Sequence, residues 1–232
     1  MKKIFNIQIN QDILKIIALL TMTLDHIAYI LHTPFETVFR LMGRLSFPLF
    51  VFLIVFNLSQ KNLFKKYISR LFGFALISTL SLIYFKSKAG EILPLNILWT
   101  LLLGVVTIYT IKTVNNLSNK FLRYLTLAYV LLFAIVLSFI VDYEVFGLLY
   151  MLSMYGWFNK KHFIYGISAI IFSFLINIHI SLTASVISAI ITSALLLPIS
   201  QSAKAKRFLR PWWLFYAYYP LHLVVIYIIA LY

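Results

Sequence analysis

The chain has 232 residues, of which 62% are hydrophobic and 17% are aromatic, and its mean hydropathy is +0.96. So apolar a composition excludes a soluble protein and predicts an integral membrane protein formed by one helical bundle. A net charge of +14 would indicate nucleic-acid binding in a soluble chain, but here we attribute it to the loops between spans. Because the chain contains no cysteine, disulfides, thiolate metal sites and cysteine acyl-enzymes are excluded.

Apolar stretches bounded by polar or basic turns predict an all-α, polytopic bundle of about nine transmembrane helices, forming a single domain over residues 1–232. In chain order the predicted spans cover residues 13–31, 38–58, 67–85, 92–111, 121–141, 144–158, 162–178, 181–199 and 211–231. The sixth span is short, which predicts a partly sunken or re-entrant helix shielded by its neighbours. The seventh and eighth divide one long apolar run at Asn177, His179 and Ser181.

The distribution of basic residues predicts the orientation of the bundle, because short cytoplasmic loops collect Lys and Arg. With a cytoplasmic N-terminus, 16 of the 20 basic residues lie on the inner side. They are Lys2, Lys3, Lys15, Lys61, Lys65, Lys66, Arg70, Lys112, Lys120, Arg123, Lys160, Lys161, Lys204, Lys206, Arg207 and Arg210. Such loops also attract anionic phospholipids. The lysine-, asparagine- and isoleucine-rich composition indicates a bacterial genome, so we expect the bacterial plasma membrane.

Asp25 and His26 lie together inside the first predicted span, where a charged side chain costs roughly 2.5 to 3.5 kcal/mol on insertion scales. Such residues persist where a partner or a polar cavity stabilises them. Lys15 and His26 are eleven positions apart, so they share one helix face at a separation of about 16 Å. Asp25 points about 100° away from His26. We therefore expect its partner on another helix, and Arg44 in the second span is the cation that we expect to meet it.

Several polar positions have both a structural and a functional interpretation. His26 alone is as consistent with an interhelical hydrogen bond as with catalysis, and its neighbours favour function. Asn96, Thr100 and Gly104 form a small, polar stripe on one helix face, which favours close packing, although Asn96 could also line the path of an acceptor. His222 follows a proline in the last span, so a kinked helix could present it to a cavity or use it as an anchor.

The ordered set of these residues resembles the TraX-type membrane acetyltransferases, a family named for the enzyme that N-acetylates conjugative pilin. The resemblance covers most of the chain. It is carried by Leu14-Lys15-Ile16-Ile17-Ala18 with Met22, Asp25 and His26; Gly43-Arg44-Leu45-Ser46-Phe47-Pro48-Leu49-Phe50; Tyr67-Ile68-Ser69-Arg70-Leu71; Asn96, Thr100 and Gly104; Asp142-Tyr143 with Gly147; and Tyr218-Tyr219-Pro220-Leu221-His222-Leu223.

This resemblance implies acetyl transfer from acetyl-CoA to an amine, such as a peptide or protein N-terminus, or to a hydroxyl of a membrane-associated peptide, protein or glycan. The chain also resembles broader membrane acyltransferases in which an intramembrane histidine is central, a role that maps onto His26 as general base or transient acyl carrier. We expect Asp25 and Arg44 to complete the catalytic group, with Arg44 also a possible donor to an oxyanion or to an acceptor carboxylate.

Substrate-binding positions follow from the same resemblance and from the chemistry of the donor. Lys15 and Arg70 are expected to bind the phosphates of acetyl-CoA, because cations at the inner side suit that group. The residues expected to bind the acceptor are Asn96, Asp142, Tyr143, Tyr219 and His222. No spacing of carboxylates and histidines calls for a metal.

A proton- or ion-coupled transporter is the alternative function, because a buried cluster of Asp25, His26 and Arg44 could also relay protons. Against it, the sequence has neither an internal repeat nor paired broken helices, which are common in secondary transporters. In a third interpretation the protein is a scaffold of a membrane complex, and its polar residues serve packing alone.

Overall fold

The computed structural model describes residues 11–89, 95–197 and 213–231. The described residues form ten α-helices. They are α1 (Gln11–Leu31), α2 (Glu36–Gly43), α3 (Ser46–Gln60), α4 (Phe64–Ala89), α5 (Ile97–Val114), α6 (Lys120–Ser138), α7 (Glu144–Lys160), α8 (Phe163–Leu175), α9 (Leu182–Leu196) and α10 (Leu214–Leu231). The predicted all-α fold is thereby confirmed for these ranges. The basic residues Lys2, Lys3, Lys204, Lys206, Arg207 and Arg210 lie outside the described residues.

Helix length and composition identify a membrane protein. Within the described ranges, four segments are long and apolar enough to cross a bilayer: Gln11–Leu31, Glu36–Gln60, Ile97–Val114 and Lys120–Ser138. Shorter apolar helices cover Phe163–Leu175, Leu182–Leu196 and Leu214–Ala230. With 13 and 15 residues, α8 and α9 extend only about 20 to 23 Å, less than a typical hydrocarbon core. The count of nine spans and the cytoplasmic N-terminus therefore stay predictions.

The second predicted span is two helices that meet at Arg44. α2 ends at Gly43 and α3 begins at Ser46, whose hydroxyl donates to the Gly43 carbonyl at 2.8 Å. Pro48 lies in the first turn of α3, where its missing N–H would have no partner within the helix. Arg44 and Leu45 form this junction, where α2 has ended and α3 has not yet begun.

Contacts between side chains show the directions of the helices: α4 and α5 run antiparallel, since Phe64 at the start of α4 packs against Tyr109 near the end of α5, whereas α3 and α7 run parallel. The first turns of α3 and α7 meet at one end of the bundle, where Phe47 stacks on Tyr143 with 4.0 Å between ring centroids. Their last turns meet at the other end, where Phe158 packs edge-on against Phe56. We call this second end the basic end, because Lys112 and Lys160 lie there.

The core is built around α7, which packs against α3, α5, α6 and α8. Tyr150 and Met154 are completely buried, and Met151 is 1% exposed. A Cβ added to Gly104 would lie 2.3 Å from the sulfur of Met151, so α5 approaches α7 through that glycine. The sixth predicted span is thus a continuous helix shielded by its neighbours, and the small-residue stripe of α5 serves packing.

Candidate functional site

Asp25 forms an ion pair with Arg44 where α1 contacts the junction of α2 and α3. Nη2 of Arg44 lies 2.6 Å from Oδ1 of Asp25, and Nη1 of Arg40 lies 3.6 Å from the same oxygen. Arg44 also donates from Nη1 to Oδ1 of Asn177 at 3.2 Å and from Nε to the Arg40 carbonyl at 3.0 Å. We call these four residues the arginine cluster. The contact that the sequence predicts between Asp25 and Arg44 is confirmed.

Close backbone approach makes this cluster possible. A Cβ added to Gly43 would lie 2.4 Å from the Cβ of Asp25, so a side chain at this position would displace α1. The side chain of Arg44 is only 6% exposed, and each of its three nitrogens donates to an oxygen. Because a buried charge needs an ion pair and hydrogen bonds, the geometry gives Arg44 a structural function between α1, the junction and Asn177.

His26 lies on another face of α1 and contacts α10. Nδ1 of His26 lies 2.8 Å from Nε2 of His222, and Nδ1 of His222 lies 2.9 Å from the carbonyl oxygen of Tyr218. The hydroxyl of Tyr218 in turn shares a 2.8 Å hydrogen bond with that of Thr23. We call His26 and His222 the histidine pair. It ties the first described helix to the last.

Asp25 and His26 therefore belong to two separate clusters although they are neighbours in sequence. Adjacent side chains of a helix diverge by about 100°, and here they contact different helices. Asp25 pairs with Arg44, and His26 pairs with His222. The transporter interpretation would need one relay through Asp25, His26 and Arg44.

A cavity of about 560 Å³ lies between α1, α3, α4, α5 and α10. Five of its polar lining residues belong to the turns of these helices nearest the basic end: Lys15, Asn57, Tyr67, Arg70 and Tyr216. Apolar side chains such as Leu19, Phe50, Leu53 and Leu101 line the remainder. The two cations expected to bind the donor thus share one space with a polar mouth and an apolar body.

Both cations have partners within the protein. Nζ of Lys15 lies 2.8 Å from Oδ1 of Asp12, whose side chain is 2% exposed, and 4.8 Å from the ring centroid of Phe215. Arg70 hydrogen-bonds the side chain of Tyr216. These contacts hold the two cationic groups at the mouth of the cavity.

Tyr219 connects the cavity to the histidine pair. It lines the cavity, and its ring lies edge-on to His26 and His222 with centroid separations of 6.2 and 5.6 Å. Met22, one turn before His26 on α1, also lines the cavity. His26 itself is not among the lining residues, so the cavity ends about one helical turn, or about 6 Å along the axis, before it.

A second space lies between α1 and α10 on the other side of His222. This groove has a volume of about 410 Å³. Its lining residues are Thr23, Ile27, Leu31, Tyr218, Leu221, His222, Val225, Ile226 and Ile229. The histidine pair is therefore adjacent to two spaces. Tyr219, which lines the cavity, contacts the pair, and His222 itself lines the groove.

The other residues expected to bind the acceptor take part in packing. The side chain of Asn96 caps α5 by accepting the Leu98 N–H at 3.0 Å. Asp142 donates its backbone N–H to the Leu95 carbonyl at 2.8 Å, and its own carbonyl accepts the Thr100 hydroxyl. Tyr143 stacks on a buried phenylalanine. None of these three side chains lines either space.

Sequence reasoning missed some members of both clusters. Arg40 precedes Arg44 by four residues, a helical spacing that could have indicated a shared target. Asn177 was interpreted only as the marker of a turn. His222 was expected to contact the acceptor rather than His26, because no local pattern reports which distant helices are neighbours.

Known proteins supply a family for the chain. The family model described as TraX protein matches residues 10–230. A protein of Rickettsia prowazekii (strain Madrid E), described as uncharacterized, is 32% identical over 111 residues, which make up 48% of this chain and 40% of that protein. The match therefore spans less than half of the relative's length. No solved structure matches significantly.

Proposed function

Because the chain belongs to the TraX family, we propose that this membrane protein transfers an acetyl group from acetyl-CoA to an amine or hydroxyl of a membrane-associated peptide, protein or glycan. The observation that carries the proposal is the cavity that runs from Lys15 and Arg70 to Tyr219, whose ring contacts His26. It leads from two cations to a residue that contacts the proposed base, and a CoA-dependent transferase needs both a site for phosphates and a base for the acceptor.

The donor enters from the basic end in this proposal. Its phosphates contact Lys15 and Arg70, since both are cations at the mouth. Its pantetheine arm occupies the apolar body, and the thioester reaches the level of Met22 and Tyr219. We accordingly place the basic end on the cytoplasmic side of the bacterial plasma membrane, where acetyl-CoA and anionic lipid headgroups are both available.

The acceptor approaches through the groove between α1 and α10. Most of the groove's lining is apolar, which suits a chain that already lies in the membrane, and His222 brings it beside the histidine pair. Donor and acceptor thereby approach the histidine pair through different spaces.

His26 acts as the general base. The acceptor nitrogen or oxygen attacks the thioester carbonyl, and its proton passes to the imidazole as the new C–N or C–O bond forms. Collapse of the tetrahedral adduct breaks the C–S bond. The leaving thiolate then takes the proton from the imidazolium, so the products are acetylated acceptor, CoA thiol and an unchanged protein.

The test uses purified protein with radiolabelled acetyl-CoA and hydrophobic peptides that carry a free N-terminus. We expect label transfer with the natural chain and a loss of about 10²- to 10⁴-fold in kcat for His26→Ala, the range typical of a positioned base. His179→Ala is the matched control, because His179 is exposed in the turn between α8 and α9. It should retain full activity.

Two outcomes would contradict the proposal. Absence of transfer to every amine and hydroxyl acceptor, with folded protein and bound acetyl-CoA, would exclude the enzyme. Equal activity of His26→Ala and His179→Ala would exclude His26 as the base. Label retained on His26 without any acceptor would instead replace direct transfer by an acyl-histidine intermediate.

A further inference from the structure

The histidine pair forms a hydrogen-bond chain whose direction is fixed at one end. A backbone carbonyl can only accept, so Nδ1 of His222 must donate its N–H to the Tyr218 carbonyl 2.9 Å away. Neutral imidazole carries one N–H, which leaves Nε2 of His222 as an acceptor. The group 2.8 Å from that nitrogen is Nδ1 of His26, and it must therefore be a donor.

We infer that His222 is a positioning residue that holds His26 in the Nδ1–H tautomer, so that Nε2 of His26 is the nitrogen that receives the acceptor's proton. Free histidine favours the opposite tautomer, with the proton on Nε2. The hydrogen bond from a neighbouring group decides which nitrogen of an imidazole is protonated. His222 thus has the role that a carboxylate or carbonyl plays in other catalytic and metal-binding histidines.

Packing around His222 fixes the orientation on which this inference depends. Its ring stacks on Tyr218 with an interplanar angle of 11° and a centroid separation of 5.1 Å. Tyr219 packs against its edge, and the residue is 7% exposed. Thr23 holds the hydroxyl of Tyr218 from α1. His222 therefore cannot turn its ring without breaking contacts to two helices.

The same hydrogen-bond chain also stabilises the protonated form of His26. When His26 accepts a proton at Nε2, its Nδ1–H still donates to Nε2 of His222. A hydrogen bond from a cationic donor is stronger than one between neutral groups. His222 therefore stabilises the imidazolium that forms during attack, in addition to selecting the tautomer. This kinetic role rests on the proposed function, whereas the tautomer itself does not.

The tautomer is measured by ¹⁵N NMR on protein labelled at its five histidines, with His26 assigned from the spectrum of His26→Ala. We expect the natural chain to show a protonated Nδ1 and an unprotonated Nε2 at His26. His222→Phe keeps an aromatic ring but removes the acceptor, so His26 should shift toward the Nε2–H form. His222→Gln places an amide oxygen near the former Nε2 and should keep Nδ1 protonated.

Steady-state kinetics of the same variants give the second readout. His222→Phe should lower kcat about 10²-fold or more while KM for acetyl-CoA changes by less than about twofold, because it affects a positioned base rather than donor binding. His222→Gln should recover most of that loss. Ile228→Ala is the control, since it changes an exposed side chain of α10 that lines neither space and leaves the acceptor for His26 in place.

The results separate this inference from the proposed function. An unprotonated Nδ1 on His26 in the natural chain, or a protonated one that persists in His222→Phe, would overturn the inference even if the protein is an acetyltransferase. Equal losses in His222→Gln and His222→Phe would also overturn it, because a general packing defect would then suffice. The expected NMR shifts in a protein without transferase activity would support the tautomer and refute the proposed function.

Discussion

At the scale of single residues, Asp25 and His26 are neighbours in sequence, but their side chains have different functions. Asp25 anchors a buried arginine, and His26 takes part in a chain of imidazole and carbonyl groups. A substitution at either position therefore has a different signature. Changes at Asp25 should affect mainly stability, because an unpaired Arg44 would remain buried, whereas changes at His26 should affect mainly catalysis.

Arg70 provides the residue-scale prediction for the donor. Arg70→Ala should raise KM for acetyl-CoA about tenfold or more with little change in KM for the acceptor, since loss of a charge-assisted contact costs about 1.5 to 3 kcal/mol. Lys66→Ala is the matched control, because Lys66 lies one turn earlier on α4 and is exposed. Lys15→Ala should show the same direction, with an added loss of stability because the buried Asp12 would lose its ion pair with Lys15.

Substitutions on α10 give the corresponding test for the acceptor. Val225→Trp should narrow the groove and raise KM for the acceptor while leaving that for acetyl-CoA unchanged. Ile228→Trp adds the same bulk to an exposed position that does not line the groove. Steady-state titration of each substrate measures KM in the donor-site and the groove variants.

If Arg70→Ala and Lys66→Ala give the same KM for acetyl-CoA, the donor does not enter at the basic end.

The sequence predicts one of the two clusters better than the other. The pairing of Asp25 with Arg44 follows from helix geometry and from the cost of a lone charge, and both can be evaluated locally. His222 and His26 meet only because α1 and α10 pack side by side, which depends on the whole bundle. Asn96 and Tyr143 were expected in the site, but polar side chains in a membrane protein also cap helices and stack.

At the scale of helices, α1 contributes residues to both clusters and lines both spaces. Its face toward α2 and α3 carries Asp25, and its face toward α10 carries His26 and Thr23. Lys15 and Met22 line the cavity from the same helix. The position of α1 is therefore decisive for the site, and its contact with Gly43 sets how closely it can approach the junction.

Gly43→Ala should destabilise the protein by about 1 to 3 kcal/mol, the usual cost of overpacking a tight contact. The new methyl group would meet the Cβ of Asp25 at 2.4 Å, an atom that cannot move without its helix. Gly73→Ala is the control, because a Cβ there has no neighbour within 4 Å and helix propensity favours alanine by about 1 kcal/mol. Thermal unfolding in detergent measures both, and equal midpoints would contradict the prediction.

The bounds of the helices follow closely from apolar runs, whereas their interruptions do not. Runs of hydropathy predict where α5, α6 and α7 lie to within a few residues, because polar turns separate them. The break between α2 and α3 is harder to predict, because the apolar run is interrupted there only briefly, by Gly43, Arg44 and Ser46. Glycine, proline and single polar residues also occur within unbroken membrane helices.

At the scale of the whole molecule, the bundle is asymmetric. Its lysines are clustered at the basic end. The cations of the cavity lie toward the basic end, and the arginine cluster lies toward the other. Positive charge on short loops is the main determinant of orientation in the membrane. The predicted cytoplasmic basic end and the predicted site of donor entry are consequently the same surface.

Single cysteine substitutions test this orientation, because the natural chain contains no cysteine. In intact cells a membrane-impermeant maleimide should label Thr37→Cys and His179→Cys, which lie exposed at the end opposite the basic one. Lys66→Cys and Asn116→Cys, exposed at the basic end, should react only after the membrane is opened. The reverse pattern would invert the bundle and remove the donor cavity from the cytoplasm.

The adjacency of α1 and α10 also has a consequence for biosynthesis. The two imidazoles stand 196 positions apart, so the first is made long before the second. Chains are synthesised and begin to fold from the N-terminus. Until the final helix inserts, a nascent polypeptide lacks both the α10 wall of its cavity and the partner that orients the base. Under the proposed function, incomplete chains would therefore neither transfer the acetyl group nor hydrolyse the thioester.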